Sequence, residues 1–387
     1  MTLGIDLEQF VRDPYGSGIQ RVLQQLALHW PAEIPAAFVV PVGGRFRLLE
    51  PQQAAELLDI PFAPRSIDVD LRELVRTFIE AQEGPLLGLG DLLAVHDAWL
   101  LPEVSYLPSV LERLEIFQKC MPVSMIGYDA LPMTHPANYR FVPGSAGWVS
   151  EYFRHLTRVD SVICISDYAA DEITGRLRRD LRKTTVVAHP GGDHLPQQSA
   201  ESANQPREKQ PDTPLRFLRL GTLEARKMPV EILAGFRQAI GGGTNAELVF
   251  VGRPSASDEA INSAIQEAID EGLPITWIRD ADDERVHAEI ADADVFLSVG
   301  TEGYGIPVLE AIRLGTPVIF DGIQPAAELM VGRGAVRVDA IADDQFAQLF
   351  DGPVLQRIDQ LRSECSEDDI PTWKAFATTI AESARRA

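Results

Sequence analysis

The stretch TEGYGIPVLEAIRLGTPVIF, residues 301–320, decides the fold of the second half of the chain. An apolar run typical of a buried strand, residues 295–297, comes just before it. Its glycines allow a sharp turn, and Pro307 suits the first turn of a helix, where an amide hydrogen has no intrahelical partner. Gly315 ends that helix, and residues 318–320 form the next strand. The stretch therefore predicts a strand, a glycine turn, a helix and a strand.

The start of this helix predicts an anion site. The amides of Tyr304 to Val308 are expected to point out of the helix N-terminus, where the macrodipole favours a phosphate. Glu302 precedes these amides and Glu310 lies about one turn inside the helix, so each carboxylate can accept hydrogen bonds from sugar hydroxyls flanking a diphosphate. Without this context, two glutamates indicate only a solvated helix face. The residues assigned to donor binding here are Glu302, Gly303, Tyr304, Gly305, Ile306, Pro307, Val308 and Glu310.

The segment EGYGIPVLEA resembles the donor-site signature of the retaining glycosyltransferases of family 4, and the pair GSGIQRV and GYDALPMTHP resembles the members that build bacterial surface polysaccharides. The resemblance implies an α/β fold of the GT-B type, with two Rossmann-like parallel-sheet domains facing a central cleft and a C-terminal helix crossing back to the first domain. It also implies that Glu302 lies beside the transferred sugar and that Glu310 holds the ribose hydroxyls.

A second segment, FLRLGTLEARKMPVEILAGF at residues 217–236, predicts a strand, a turn at Gly221, a loop with Arg226 and Lys227, and a helix. A guanidinium fork and an ammonium together can neutralise a diphosphate leaving group without a metal. An exposed basic pair on a loop is the alternative. Since the segment resembles the family's phosphate-binding loop, we assign all three residues to the donor diphosphate. No metal or cofactor is predicted beyond a nucleotide-sugar co-substrate.

The N-terminal segment YGSGIQRVLQQLALHW follows a short strand, residues 3–6, and predicts a glycine turn that opens an amphipathic helix. The third glycine of a dinucleotide fingerprint is missing, which argues against an NAD site. The resemblance implies that Gly16, Ser17 and Gly18 approach the donor phosphates. A tight strand-to-helix turn without a ligand is the alternative.

Two segments of the first domain, VHDAWLLPE and IGYDALPMTHPANY, are predicted to follow strands and to reach the cleft. With a strand at residues 92–95, Asp97 lies just past a strand end, as does Asp129 in the second segment. The second segment resembles the family's His-Asp segment, with Tyr128 where histidine is usual. We assign Asp129 a catalytic role and take His96, Asp97 and Tyr128 as candidate acceptor or sugar contacts, although a lone loop histidine is more often structural or solvated.

Alternating strand and helix patterns divide the chain into an N-terminal, acceptor-side domain at residues 1–195 and a C-terminal, donor-side domain at 215–370. A polar, proline-bearing linker at 196–214 joins them, and a terminal helix at 371–387 is expected to pack towards the first domain.

Charge and composition narrow the class of partner. With 35 basic and 57 acidic residues the net charge is −22, which disfavours nucleic acid. One basic island, RLRRDLRK, is either a solvated helix end or a contact with an anionic membrane surface or lipid-diphosphate acceptor. Its cations are Arg176, Arg178, Arg179, Arg182 and Lys183.

The sequence predicts a cytoplasmic protein with reduced thiols, because it has no long apolar segment or signal peptide and its three cysteines are widely separated. If the basic island binds a membrane, the predicted location is the inner face of that membrane.

The predicted function is retaining, metal-independent transfer of a hexosyl or deoxyhexosyl unit from a nucleoside-diphosphate sugar to a glycan or lipid-linked hydroxyl. The alternatives are a GT-B-fold sugar-nucleotide epimerase and a catalytically silent subunit of a glycosyltransferase complex.

Overall fold

The computed structural model describes residues 2–63, 70–136, 146–177, 184–195, 213–255, 258–343, 345–366 and 368–387. The chain divides into two compact units. The first contains Met1–Gly191 together with Pro371–Ala387, and the second contains Gly192–Ile370. Most of the predicted linker, residues 196–212, lies outside the described residues.

The described part of the first unit forms a seven-stranded sheet in the order β3-β2-β1-β4-β5-β6-β7. All neighbouring strands are parallel except the pair β2 and β3, which is antiparallel. The strands are β1 (Leu3–Asp6), β2 (Ala36–Val42), β3 (Arg45–Leu49), β4 (Ala98–Leu101), β5 (Val123–Gly127), β6 (Ser161–Cys164) and β7 (Thr184–Val187). The strands β1, β4, β5 and β6 are buried along their whole length, as expected for a parallel sheet covered on both faces.

Helices connect these strands. They are Glu8–Arg12, Gly18–Leu28, Pro51–Asp59, Leu71–Ala81, Leu89–Val95, Pro108–Phe117, Leu131–Thr134, Ala146–Arg158 and Asp167–Asp171, with a π-helical turn at Glu172–Arg176. The terminal helix, Trp373–Arg386, also belongs to this unit and contacts the helix Gly18–Leu28, β4 and β6. Thr372 caps it, since its hydroxyl accepts from the amide of Ala375 at 3.2 Å, and Trp373 is fully buried.

The described part of the second unit forms a six-stranded, wholly parallel sheet in the order β10-β9-β8-β11-β12-β13. Its strands are β8 (Leu215–Leu220), β9 (Ala246–Val251), β10 (Ile275–Ile278), β11 (Val295–Thr301), β12 (Val318–Ile323) and β13 (Ala335–Arg337). Its helices are Pro229–Gly241, Glu259–Asp270, Asp283–Asp292, Ile306–Arg313, Pro325–Leu329, Ala340–Asp343, Gln348–Asp351 and Ile358–Glu364, with 3-10 turns at Ala225–Lys227 and Pro353–Arg357.

The predicted fold class is confirmed, since each unit is built on a parallel sheet with helical crossovers. One strand prediction was wrong. Residues 92–95 belong to the helix Leu89–Val95, whose start is held by the Asp91 carboxylate accepting from the amide of Gly88 at 2.7 Å, and the strand comes later, at Ala98–Leu101. A four-residue apolar run fits a buried helix as well as a strand, so periodicity alone does not separate them.

Candidate functional site

The loop after β8 is shaped around one lysine. Gly221 ends the strand with a φ of 117°, a conformation that favours glycine. A Cβ at this position would lie 2.6 Å from Nζ of Lys227, so the glycine leaves the space that the ammonium group occupies. The 3-10 turn Ala225–Lys227 then leads into the helix Pro229–Gly241.

A second glycine brings this loop against the end of β11. Gly300 has a φ of 100°, and a Cβ there would lie 2.2 Å from the carbonyl oxygen of Arg226. The backbones of the two loops therefore meet where any larger residue would separate them. The two segments that the sequence assigned to the donor diphosphate lie side by side within the second unit.

Glu302 lies between the two predicted phosphate-binding cations. Its Oε2 accepts from Nη1 of Arg226 at 2.7 Å, and its Oε1 is 3.0 Å from Nζ of Lys227. Arg226 also donates to the carbonyl oxygen of Thr301 at 2.7 Å and pairs with Glu224 at 2.8 Å. The side chains of Glu302, Arg226 and Lys227 are 18%, 18% and 14% exposed, so the cluster is sheltered while part of its surface meets solvent.

A third cation, Arg219 on β8, adds to this charge and was missed by the sequence analysis. It is buried and donates to the carbonyl oxygen of Leu220 at 2.9 Å. Burial lowers the pKa of Arg219 to about 10. Burial alone would raise the pKa of Glu302, but the charges of Lys227, Arg226 and Arg219 outweigh it and hold that pKa at about 2. Lys227 has a pKa lowered by burial, with Glu302 opposing the shift. The strand sequence LRFLRL contains two arginines, Arg216 and Arg219, and no local pattern indicates that Arg219 is the one that joins the site.

The helix start beside this cluster offers fewer amides than predicted. Gly305 has a φ of 102° and precedes the helix Ile306–Arg313. The amide of Val308 donates to the carbonyl oxygen of Gly305 at 3.0 Å, and Pro307 has no amide hydrogen. Tyr304 is buried, which raises the pKa of its hydroxyl. The expectation of a continuous row of available amides from residue 304 to 308 is therefore wrong.

Glu310, the predicted ribose ligand, has a protein contact of its own. Its Oε1 lies 3.1 Å from Nε2 of His194, and both side chains are largely buried. The backbone of the His194 segment is held against the same helix, because Nε of Arg313 donates to the carbonyl oxygen of Leu195 at 3.1 Å. A Cβ at Gly192 would lie 2.6 Å from Leu309, so the segment packs closely. These contacts place Gly192–Leu195 with the second unit, although the sequence assigned those residues to the first domain.

In the first unit, the N-terminal glycine turn has a built support. Gly16 has a φ of 69°, and Ser17 caps the helix Gly18–Leu28 by accepting from the amide of Gln20 at 3.1 Å. The side chain of Gln20 reaches back, and its Oε1 accepts from the amides of Tyr15 at 3.0 Å and Gly16 at 2.9 Å. The Gln20 side chain, from the helix that follows the turn, therefore stabilises the turn.

The assignment of His96 and Asp97 to an acceptor site is contradicted. Both residues precede β4, and the Asp97 Oδ2 accepts from the amide of Thr2 at 2.7 Å, at the amino end of the sheet. His96 is buried, its Nδ1 contacts the carbonyl oxygen of Leu92 at 3.0 Å, and burial lowers its pKa. Because ligands of parallel sheets bind at the carboxyl ends of strands, the residue that β4 presents to that edge is Glu103, which the sequence analysis did not single out.

Tyr128 and Asp129 do follow the end of a strand, β5, but both side chains form hydrogen bonds with the protein backbone. The Tyr128 hydroxyl donates to the carbonyl oxygen of Pro102 at 2.8 Å and is buried, so its one proton is unavailable to an acceptor sugar. The proposed sugar contact through Tyr128 is therefore wrong. Asp129 accepts from the amide of Leu131 at 3.0 Å, which fixes the start of the helix Leu131–Thr134.

A buried ion cluster at the end of β1 was also missed. Arg113 donates to Asp6 through Nε at 3.1 Å and Nη2 at 2.6 Å, and to Glu8 through Nη1 at 2.8 Å. All three side chains are at most 5% exposed. Arg113 and Glu8 also line a cavity of about 1040 Å³ within the first unit. No local pattern indicates this cluster, because Arg113 is more than 100 positions from its partners.

Of the basic island, the structure describes Arg176, whose Nε lies 3.0 Å from Glu172 Oε1. The other four cations, at positions 178, 179, 182 and 183, lie outside the described residues. In the described parts of the chain, the helices are all too short or too polar to cross a membrane.

Comparisons with known proteins agree with this architecture. The family description "Glycosyl transferases group 1" matches residues 201–348, so the C-terminal part of the chain carries a glycosyl transferases group 1 domain. A curated relative, the serotype-specific mannosyltransferase WbdA of Escherichia coli, is 25% identical over 272 residues. That alignment covers 64% of this chain but 31% of WbdA, so the chain spans about a third of the length of this relative.

Solved structures show the same fold over the full length. Anabaena HepE in complex with UDP and glucose aligns with a TM-score of 0.63 at 14% identity, covering 100% of both chains. An α,α-trehalose-phosphate synthase (UDP-forming) from Burkholderia vietnamiensis aligns with a TM-score of 0.58 at 12% identity, covering 100% of this chain and 99% of that one. The predicted GT-B class of fold is thereby confirmed.

Proposed function

We propose that the chain is a retaining, metal-independent glycosyltransferase that moves a hexosyl or deoxyhexosyl unit from a nucleoside-diphosphate sugar to a hydroxyl of a glycan or lipid-linked acceptor. One observation carries the proposal. Glu302 lies within 3.0 Å of both Arg226 and Lys227, beside the glycine turn that opens the helix Ile306–Arg313. Such a sheltered cluster of opposite charges can bind a diphosphate and the sugar attached to it.

The charges of the cluster support this role. Three cations, Arg219, Arg226 and Lys227, face two carboxylates, Glu302 and Glu224, so the site carries a net positive charge before any donor binds. A bound diphosphate would offset this positive charge. Arg226 and Lys227 would stabilise the charge that develops as the diphosphate departs, and Glu302 would orient the sugar ring. Glu310, in contact with His194, would accept from the ribose hydroxyls.

The proposed chemical step exchanges one bond at the anomeric carbon. The bond between the anomeric carbon and the diphosphate oxygen breaks, and the acceptor oxygen bonds to the same face of that carbon. The acceptor hydroxyl proton passes to the departing diphosphate, so no protein nucleophile is required. Since Arg226 and Lys227 supply the positive charge that this step needs, we propose that turnover is unchanged by a metal chelator.

The choice of donor and acceptor rests on the relatives. WbdA is a mannosyltransferase and HepE binds UDP and glucose, which together favour a nucleotide-linked hexose and a polysaccharide as product. We propose that the glycine turn of Gly16, Ser17 and Gly18 contacts the donor phosphates. We also propose that Asp129 has a catalytic role near the reacting sugar. We place the donor in the second unit, the acceptor in the first, and the enzyme in the cytoplasm.

A nucleotide panel tests the proposal. We expect one of UDP, GDP, dTDP or ADP to raise the melting temperature of the purified chain by several degrees at saturating concentration, because a ligand that binds only the folded state stabilises it. The corresponding sugar nucleotide with an acceptor glycan should then yield a product whose anomeric configuration, read by NMR, matches that of the donor. An inverted product would refute retention, and the lack of any nucleotide-dependent shift would refute the donor site.

The same assay separates the alternatives. An epimerase would convert the sugar nucleotide without releasing nucleoside diphosphate in step with acceptor. A silent subunit would bind nucleotide but neither transfer nor hydrolyse the donor.

We further propose that the basic island contacts an anionic membrane surface. The purified chain is expected to float with vesicles containing anionic lipid and to remain unbound with neutral vesicles, since each basic residue near such a surface contributes about 1 kcal/mol. Replacing Arg178, Arg179, Arg182 and Lys183 by glutamine should abolish flotation, whereas the matched surface change Arg237→Gln should not. Flotation that is unchanged by the quadruple substitution would refute membrane contact through the basic island.

A further inference from the structure

The glycine turn is supported by a chain of hydrogen bonds that ends on a buried acid. Gln20 holds the turn through the amides of Tyr15 and Gly16, and its Nε2 donates to the carbonyl oxygen of Asp13 at 2.7 Å. The same Nε2 lies 3.3 Å from Oε1 of Glu103, which follows β4 at the carboxyl edge of the first sheet. Both side chains are buried, at 0% exposure for Gln20 and 5% for Glu103.

We infer that Gln20 and Glu103 are positioning residues that fix the shape of the glycine turn and keep negative charge away from it. The inference rests on the proposed function, in which this turn helps to bind the donor's diphosphate. One amide side chain uses both its acceptor and its donor groups on the turn, so its orientation determines the backbone from residue 13 to 16. Glu103 in turn fixes the orientation of that amide.

The surroundings of Glu103 explain how it serves this purpose. It is faced by the carboxylates of Asp6 and Asp13, the backbone of Phe10 and the hydroxyl of Tyr128. The guanidinium of Arg113 is already bonded to Asp6 and Glu8, and that of Arg72 to Asp13. The Oε2 atom of Glu103 is buried and meets no hydrogen-bond partner among the described residues. The hydrogen bonds from Gln20 and from the backbone of Phe10 favour the charged form but do not outweigh burial, so the carboxyl group is held in its neutral form.

Burial, with a smaller contribution from Asp13 and Asp6, raises the pKa of Glu103 to about 8. Below that pH the group is neutral and the turn has no added charge beneath it. Above that pH the carboxyl ionises, which places a negative charge under the backbone that is proposed to meet phosphate. The inference therefore predicts that donor binding weakens at alkaline pH, and that part of this weakening disappears when residue 103 cannot ionise.

Kinetics of the full-length chain test this. Gln20→Ala is expected to raise the donor KM about tenfold with a smaller change in kcat, since two amides of the turn lose their acceptor. The matched control is Gln25→Ala, which truncates another buried glutamine of the same helix that bonds Gln24 and not the turn. Its donor KM should stay at the wild-type value.

The pH profile gives a second readout that a purely structural role would not change. In the wild type the donor KM should rise about tenfold between about pH 7 and pH 9.5, and in Glu103→Gln the rise should be clearly smaller, because only the loss of the proton of Lys227 then contributes to it. Equal donor KM values for Gln20→Ala and Gln25→Ala, or the same alkaline rise in Glu103→Gln as in the wild type, would overturn the inference while leaving the transferase intact. A wild-type chain without nucleotide binding or transfer would instead overturn the proposed function.

Discussion

The variant Lys227→Met is expected to lower kcat for glycosyl transfer by about a thousandfold, the scale seen when one preorganised charge at a reacting centre is removed. Methionine keeps the apolar stem of the side chain and lacks only the terminal nitrogen, the atom that lies nearest to Gly221. What disappears is the ammonium group that lies 3.0 Å from Glu302 and that we propose faces the departing diphosphate. Steady-state turnover at saturating donor and acceptor measures the effect.

Two companion variants make this result specific. Arg237→Met removes an exposed cation from the helix that follows the same loop, where it pairs with Glu271 at the surface, and should leave kcat unchanged. Glu302→Gln keeps the shape of the carboxylate but removes its charge, and should lower kcat by at least about a hundredfold. Normal turnover in Lys227→Met or in Glu302→Gln would contradict the assigned roles.

The variant Arg113→Met is expected to destabilise the first unit by about 3–5 kcal/mol, because it leaves the buried carboxylates of Asp6 and Glu8 without their counter-charge. Urea unfolding at neutral pH, followed by the fluorescence of the buried Trp99 and Trp373 in this unit, measures the loss. Arg12→Met is the control, since Arg12 is exposed and lies 3.6 Å from Glu8, and should change the free energy of unfolding by less than about 1 kcal/mol.

The pH dependence of the free energy of unfolding should reveal why Arg113→Met is less stable. Burial alone would raise the pKa of Glu8, but Arg113 outweighs it and holds the pKa below the ordinary value. A lowered pKa in the folded state contributes stability above the unfolded value and loses it as the pH falls through the folded value. Without Arg113, burial raises the pKa of Glu8 above its ordinary value of 4.5, so the deficit of Arg113→Met should shrink as the pH falls from neutral through 4.5. A deficit that is the same at neutral and acidic pH would indicate lost packing instead.

The sequence predicted the second unit well because its signals are local. The turns at Gly221 and Gly300 and the helix starts at Pro229 and Pro307 follow directly from residue type and spacing. The pairing of Glu302 with the loop of Arg226 could be expected only through the family resemblance, because the two residues are 76 positions apart.

The first unit was predicted less well, for identifiable reasons. The apolar run before His96 fits either element, and choosing a strand moved the carboxyl edge of the sheet to the wrong residues. Once β4 is placed at Ala98–Leu101, Glu103 takes the position that had been given to Asp97. Its contact with Gln20 spans 83 positions, so no local pattern could have indicated it.

The predictions of available amides at residues 304 to 308 and of a sugar contact through Tyr128 were wrong for another reason. Both predictions took a polar group to be available because its residue type can serve a ligand. The structure shows that the Val308 amide and the Tyr128 hydroxyl are bonded to backbone carbonyls. Buried polar groups seldom remain without a partner, so availability has to be read from contacts and cannot be read from residue type.

Calorimetric titration of the nucleoside diphosphate selected by the panel tests the central claim most directly, because it requires no acceptor. The account predicts measurable binding to the wild-type chain, affinity weakened about a hundredfold in Lys227→Met, and wild-type affinity in Arg237→Met. Equal affinity in the wild type and Lys227→Met, or no binding of any of the four nucleotides, would show that the cluster around Glu302 does not hold a diphosphate.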